Sequence, residues 1–259
     1  MTEQIAIPSS FSRAGDVSLK RVVITGAGRG LGQLLSHAFS EAGARVALVS
    51  RTERELRDVA ASLPGETMVF SGDVRDDVFS ESIADGVVEE WGGLDVWICN
   101  AGISPVVGGP LDTDPAVWRE VLEVNLTGAF LGARAAARVM GEGGRLIFTG
   151  SVLGERPRKG LSAYSASKAG LVGLAKALAL DLAPRGITVN VVAPGWFDSP
   201  LAEGWMRSPQ LNEGIVAHTA QRRWGSPGDL PGAYQFLASD AAAFVTGTVL
   251  NVDGGYLLV

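Results

Sequence analysis

Tyr164 and Lys168 stand four residues apart in Tyr164-Ser165-Ala166-Ser167-Lys168, a spacing that puts a phenol and an ammonium on one face of a helix. A free phenol titrates near pH 10, so proton exchange near neutrality requires it to be lowered by roughly two to three units, about 3 to 4 kcal/mol. One ammonium at about 4 Å supplies on the order of 4 kcal/mol at an effective dielectric near 20. The pair therefore suits a proton donor and acceptor. Ser151 lies upstream, directly after a β-prone run, where its hydroxyl can donate to a substrate oxygen and stabilise developing negative charge. Near the start, Gly26-Ala27-Gly28-Arg29-Gly30-Leu31-Gly32 forms a glycine-rich turn of the kind that lets phosphate approach backbone amides at a helix N-terminus. A nucleotide phosphate site together with a proton-transfer pair is what moving a hydride and a proton requires.

Positioning these groups needs strands that end where they begin. Short β-prone runs occur at Val22-Val23-Ile24, Val46-Ala47-Leu48-Val49, Met68-Val69-Phe70, Val96-Trp97-Ile98, Leu146-Ile147-Phe148, Val189-Asn190-Val191-Val192 and Val249-Leu250. Segments between them carry apolar residues at helical spacing, such as Leu31, Leu34, Leu35, Ala38 and Phe39, with Gly43 as a stop. Alternating strands and helices imply an α/β fold, a doubly wound parallel sheet of about seven strands covered on both faces, because parallel neighbours need crossover connections. Such sheets bind ligands at the carboxyl ends of their strands. The pattern loosens from Gly195 to Gly225, where Trp196, Phe197, Leu201, Trp205 and Met206 are too apolar for a solvated loop, while Pro194, Pro200 and Pro209 interrupt any long helix. This segment is expected to be a lid over a pocket, the alternative being a small helical subdomain.

The 259 residues suit one α/β domain, expected over 19–259, with Met1 to Ser18 as a loose arm. Composition is 46% hydrophobic, so disorder is confined to the termini, and a net charge of -6 argues against nucleic-acid binding. Cys99 is the single cysteine and His37 and His218 the only histidines, which excludes an internal disulfide, a thiolate metal cluster and a multi-histidine site, and fits a reducing cytoplasm. The longest apolar stretch, Leu171 to Ala183, is interrupted by Lys176 and Asp181 and is too short to span a bilayer, so no membrane partner is expected.

The common dinucleotide pattern Gly-x-Gly-x-x-Gly is only partly met, because Leu31 takes its third position. The spacing Gly26, Gly30, Gly32 is a different fingerprint. Thr25-Gly26-x-x-x-Gly30-x-Gly32, Asp73-Val74, Asn100-Ala101-Gly102, Asn125, Ser151, Tyr164-x-x-x-Lys168, Pro194-Gly195 and Asp253-Gly254-Gly255 together resemble the short-chain dehydrogenase/reductase family, in order and at its spacing, over Leu19 to Val259. The resemblance implies that Gly26, Gly28, Arg29, Gly30 and Leu31 hold the pyrophosphate side of a nicotinamide dinucleotide, that Asp73 and Val74 hold its adenine, and that Asn100, Ala101 and Gly102 support it. Pro194, Gly195 and Phe197 would wall the nicotinamide, Ser199 would offer a hydroxyl to its carboxamide, and Tyr164 and Lys168 would touch it. Cys99 replaces an Asn usual in relatives, without expected harm. Asn125 would interrupt the carbonyl ladder of its helix to hold a water linking Lys168 to solvent. Catalysis would rest on Asn125, Ser151, Tyr164 and Lys168, interconverting a ketone and a secondary alcohol.

Cofactor choice is set at the end of the second strand. NAD-preferring relatives carry an acid there; this chain has Ser50 followed by Arg51, with a second guanidinium available at Arg29. Two arginines suit a 2'-phosphate, so NADP(H) is expected over NAD(H), with Glu53 as an opposing charge nearby. A serine hydrolase on Ser151 is disfavoured, because Thr149 occupies the place of glycine in a nucleophile elbow. A sensor that binds NADPH without catalysis is the remaining alternative; such proteins usually lose the Tyr or Lys retained here. The substrate is expected to be a small-molecule carbonyl or alcohol, its pocket walled by Ser104 to Gly109, Val152 to Gly160 and the lid, with Arg156, Arg158 and Lys159 either on substrate or solvated. The helix bearing Tyr164 carries the small residues Ala163, Ala166, Ala169, Gly170, Gly173 and Ala177, which permit close packing either on this chain's own sheet or on another subunit; relatives use this helix in a subunit interface, so the resemblance implies a homotetramer of two-fold symmetry.

Overall fold

A computed structural model describes residues 15–105, 108–199 and 202–259. Seven strands, β1 (Arg21–Thr25), β2 (Arg45–Ser50), β3 (Thr67–Ser71), β4 (Val96–Cys99), β5 (Arg145–Thr149), β6 (Thr188–Pro194) and β7 (Val249–Val252), form one sheet in the order β3-β2-β1-β4-β5-β6-β7. All pairings are parallel. Each β-prone run of the sequence lies inside one of these strands. They read as continuous apolar runs because both faces are buried: Val23, Val49, Trp97 and Phe148 enter one core, while Val22, Ile24, Leu48 and Ile98 enter the other. The chain winds outward in opposite directions from β1 and β4, which leaves a crevice at their carboxyl ends.

Nine helices cover the described sheet: α1 (Gly30–Glu41), α2 (Glu53–Ser62), α3 (Asp77–Trp91), α4 (Pro115–Leu122), α5 (Gly128–Val139), α6 (Ser162–Leu182), α7 (Glu203–Met206), α8 (Pro209–Ala217) and α9 (Pro231–Ala238). A π-helical turn, Glu123–Thr127, joins α4 to α5. Gly43 follows α1 with φ +84°, the left-handed conformation its position as a stop predicts.

The segment 195–225 contains α7 and α8, and of its expected residues Pro200 and Leu201 lie outside the described ones. Its ends are tied: Gly225 N–H donates to the Trp196 carbonyl at 2.8 Å and Asp198 N–H to the Gly225 carbonyl at 3.3 Å. Trp196 and Ile215 pack with Val152, Leu153, Leu161 and Tyr256 in a third apolar cluster at the rim of the sheet. Pro209, read in the sequence as an interruption, instead opens α8 in its first turn, where the missing N–H has no helical partner to lose. Met1 to Ala14 of the expected arm lie outside the described residues, but residues 15–18 are packed rather than loose. Val17 is fully buried against the core, and its carbonyl accepts from Lys20 N–H at 3.1 Å. Among the described residues no helix is long and apolar enough to cross a membrane.

Candidate active site

A cavity of about 440 Å³ opens at the carboxyl ends of the central strands. At one end is the glycine turn. Gly26 and Gly30 have φ +71° and +58°, and a Cβ on Gly32 would stand 2.1 Å from the Gly26 carbonyl oxygen, so only glycine permits this crossing of turn and helix. Arg29 precedes α1 without a capping side-chain bond, and the first turn of α1 holds no acidic residue. Its leading amides are therefore open to an anion. Thr25 locks the neighbouring loop in place: its Oγ1 accepts from Asn100 N–H at 2.9 Å and Ala101 N–H at 3.0 Å, and Asn100 Nδ2 donates to the Thr25 carbonyl at 2.9 Å. These residues fit the phosphates of a dinucleotide.

Farther out the cavity is lined by Gly28, Arg29, Ser50, Arg51, Asp73 and Val74. Arg29 and Arg51 are exposed and make no hydrogen bond or ion pair through their side chains, so both guanidiniums are available. Asp73 is different. Arg75 binds its carboxylate at 2.6 Å and holds it below the usual range. The acid that faces this end is Glu55, not Glu53. Glu53 pairs with Arg57 at 2.6 Å, whereas half-buried Glu55 lines the cavity, its Oε2 3.0 Å from where a Cβ on Gly28 would lie. The helical period does not separate the two acids: which one faces the cavity depends on how α2 is turned against the sheet, while Glu53 pairs with Arg57.

At the inner end Ser151, Tyr164 and Lys168 converge on the same cavity. Ser151 Oγ accepts from Leu153 N–H at 3.1 Å, which leaves its own proton to donate. Lys168 is buried, and its Nζ donates to the Thr149 carbonyl at 2.7 Å and lies 5.6 Å from the centroid of the Tyr164 ring. Burial lowers the Lys168 pKa to about 8. Tyr164 departs from the expectation that its amine neighbour acidifies it: burial pushes the phenol above its ordinary value, and the hydrogen bond from Ser151 only partly offsets this. The helical spacing brings the ring and the ammonium to the same cavity, and desolvation is the largest influence on the phenol there.

Asn125 lies behind this lining, in the π-turn. Its Oδ1 accepts from Ile103 N–H at 2.8 Å, and its Nδ2 donates to the Ile103 carbonyl at 3.0 Å and to Ser167 Oγ at 3.1 Å. Ser167 in turn donates to the Tyr164 carbonyl at 2.7 Å. A Cβ on Gly102 would lie 3.3 Å from Asn125 Oδ1 and 3.6 Å from Lys168 Nζ, so the glycine keeps open the space between them. Thr149 and Ser167, which bond Lys168 Nζ and the Tyr164 carbonyl, carry no motif that sequence spacing could have exposed. Cys99 packs as a small buried residue, its thiol donating to the Ala129 carbonyl at 3.4 Å and its pKa raised by burial.

Gly102, Pro194, Gly195, Phe197 and Ser199 complete the lining that the sequence anticipated, together with Gly30, Leu31, Ala101 and Ser104. Beyond Tyr164 the walls are Val152, Leu153, Leu161, Trp196, Ala202 and Trp205. Val106 and Val107, in the expected pocket wall, lie outside the described residues. Arg156 donates to the carbonyls of Tyr256 (2.9 Å) and Val259, and so ties down the last residues of the chain.

A family model described as enoyl-(acyl carrier protein) reductase matches residues 26–257. The chain is 34% identical over 244 residues to the 3-oxoacyl-[acyl-carrier-protein] reductase of Salmonella typhimurium, covering 93% of this chain and 98% of that protein. It is 36% identical over 254 residues to cis-4-hydroxycyclohexanecarboxylate dehydrogenase of Sinomonas cyclohexanicum, covering 95% and 100%. A crystal structure of a short chain dehydrogenase from Burkholderia cenocepacia in complex with NADP superposes with a TM-score of 0.86 at 33% identity, covering 93% of this chain and 99% of that one.

Proposed function

The chain belongs to the short-chain dehydrogenase/reductase family and is an oxidoreductase of CH–OH and C=O groups, and from that premise we propose that it interconverts a ketone and a secondary alcohol with NADP(H), using Tyr164 as general acid and base. The observation that carries the reading is the convergence of Ser151, Tyr164 and Lys168 on one cavity whose far end holds two unpaired guanidiniums. Arg29 and Arg51 would bind the 2'-phosphate, the α1 amides the pyrophosphate, and Pro194, Gly195 and Phe197 the nicotinamide face. A nicotinamide held by these residues would supply or accept the hydride. Ser151 donates to the substrate oxygen. Tyr164 gives that oxygen its proton as the carbonyl carbon is reduced, and Lys168 returns a proton to the phenolate. The space beside Gly102, between Asn125 and Lys168, would admit a water beside this ammonium. Oxidation runs the same steps backwards. A reducing compartment such as the cytoplasm suits the lone buried thiol.

The named relatives act on different substrates, a carrier-bound acyl group and a ring acid, so the relatives by themselves do not choose between them. Tyr164→Phe is expected to bind NADPH with unchanged affinity and to lose turnover by at least about 100-fold. Turnover within a few fold of the native rate would remove Tyr164 from the acid role. For the cofactor, native protein should have the higher kcat/KM with NADPH, Arg51→Asp should shift preference towards NADH, and Glu55→Gln should shift it further towards NADPH. A native preference for NADH would overturn the assignment.

A further inference from the structure

Arg158, in the loop from β5 to α6, is half-buried, and its side chain makes no hydrogen bond or ion pair. Its guanidinium carbon lies 5.2 Å from the Trp196 ring centroid and 5.6 Å from that of Trp205. Those indoles are 5.2 Å apart at 56°, so the cation rests against both. Both also line the inner cavity. Contact with ring faces fixes a guanidinium while leaving N–H donors free, since it carries five of them in a planar fork.

Elsewhere the chain neutralises such a group: Arg21, comparably shielded, binds both oxygens of Asp95 at 2.7 and 2.8 Å. Arg156, two residues away, is satisfied by carbonyls. Arg158 alone in this loop is both shielded and unpaired, for Lys159 is exposed. The loop runs into the N-terminus of α6, which has no acidic residue in its first turn and no capping side-chain bond, and this adds positive potential on the same side.

We infer that the substrate is an apolar keto acid: its carbonyl meets Ser151 and Tyr164, its apolar body lies against Leu153, Trp196 and Trp205, and its carboxylate is bound by Arg158. The carbonyl end rests on the oxidoreductase reading; the carboxylate end does not. A phosphate would use the same donors, and the test separates the two anions.

The full-length protein with NADP bound is titrated with cyclohexanecarboxylate, cyclohexanecarboxamide and cyclohexyl phosphate, followed by calorimetry. The carboxylate is expected to bind about tenfold more tightly than the carboxamide, as a charge-assisted hydrogen bond requires. That ratio should collapse towards one in Arg158→Gln and survive in part in Arg158→Lys. Equal affinities in the native protein, an unchanged ratio in Arg158→Gln, or tighter binding of the phosphate would overturn the inference. NADPH oxidation by 4-oxocyclohexanecarboxylate is measured separately. Selective binding without turnover sinks the redox reading and keeps the carboxylate site; turnover of ketones without selectivity does the reverse.

Discussion

Lys168 carries a cost that its pH dependence should expose. Its ammonium is buried, its pKa is lowered to about 8, and the Thr149 carbonyl is the group that holds it. In the unfolded chain it titrates near 10.5. Between about 8 and 10.5 the unfolded state binds a proton that the folded state has released, so this group makes stability rise with pH across that window and imposes its full penalty below it. Lys168→Met is therefore expected to gain most, relative to native protein, at pH 7, and the advantage should shrink by about 3 kcal/mol by the top of the window. Urea unfolding of both proteins at pH 7 and above 10 measures it; a difference independent of pH would mean the amine is not charged and buried together. The spacing of Tyr164 and Lys168 was legible because helical period fixes proximity. The sign of the tyrosine shift was not, because burial depends on walls contributed by β5, β6 and the segment after it. The same limit explains Glu53 and Glu55: adjacent acids on one short helix differ only in which way the helix is turned against the sheet.

At the scale of elements, the π-turn between α4 and α5 shows what a single buried amide does. Asn125 is fully buried and satisfies both backbone groups of Ile103 while reaching Ser167, so one side chain joins the loop after β4 to α6. Asn125→Ala leaves the Ile103 pair and Ser167 without that partner, and each buried group left unsatisfied costs about 1 to 3 kcal/mol. The expected result is a loss of roughly 3 kcal/mol by denaturant unfolding, with turnover reduced more than NADPH affinity, since the loop it anchors borders Lys168. An unchanged midpoint would show that water replaces it at no cost. The helix does leave the α ladder at Asn125, in the π-turn Glu123–Thr127, while the side chain bonds Ile103 and Ser167 rather than the carbonyls of its own helix. That its side chain would be committed to Ile103 had no local signal; Ile103 is distant in sequence and reaches it only through the β4 crossover. Strands were legible for the opposite reason, each being an apolar run whose burial on both faces demands no particular partner. The helix at 209–217 was obscured by Pro209, which a helix accepts in its first turn.

For the whole molecule, the homotetramer that the family resemblance implies would be built on the outer face of α6. Its small residues divide: Ala163 is buried against its own sheet and Gly170 packs on Leu126, while Ala166, Ala169, Gly173 and Ala177 are exposed. Leu180 is 79% exposed on the same helix, and Phe130 on neighbouring α5 is 41% exposed. The smallness of Ala163 is thus explained within one chain, and that of the outer four is not. Gly173 makes the sharpest test. A Cβ there meets nothing within 4 Å, so within a single chain a larger residue is unhindered. Replacing a mid-helix glycine should even stabilise an isolated chain by roughly 0.5 to 1 kcal/mol. In a homotetramer built on this face the same substitution introduces a side chain and a charge where two backbones approach. Gly173→Glu is therefore expected to reduce the scattering mass from four times 27.0 kDa to that of a smaller species and to lower the melting temperature. A variant that keeps its mass and melts higher would place the interface elsewhere and leave the outer alanines of α6 as simple helix formers.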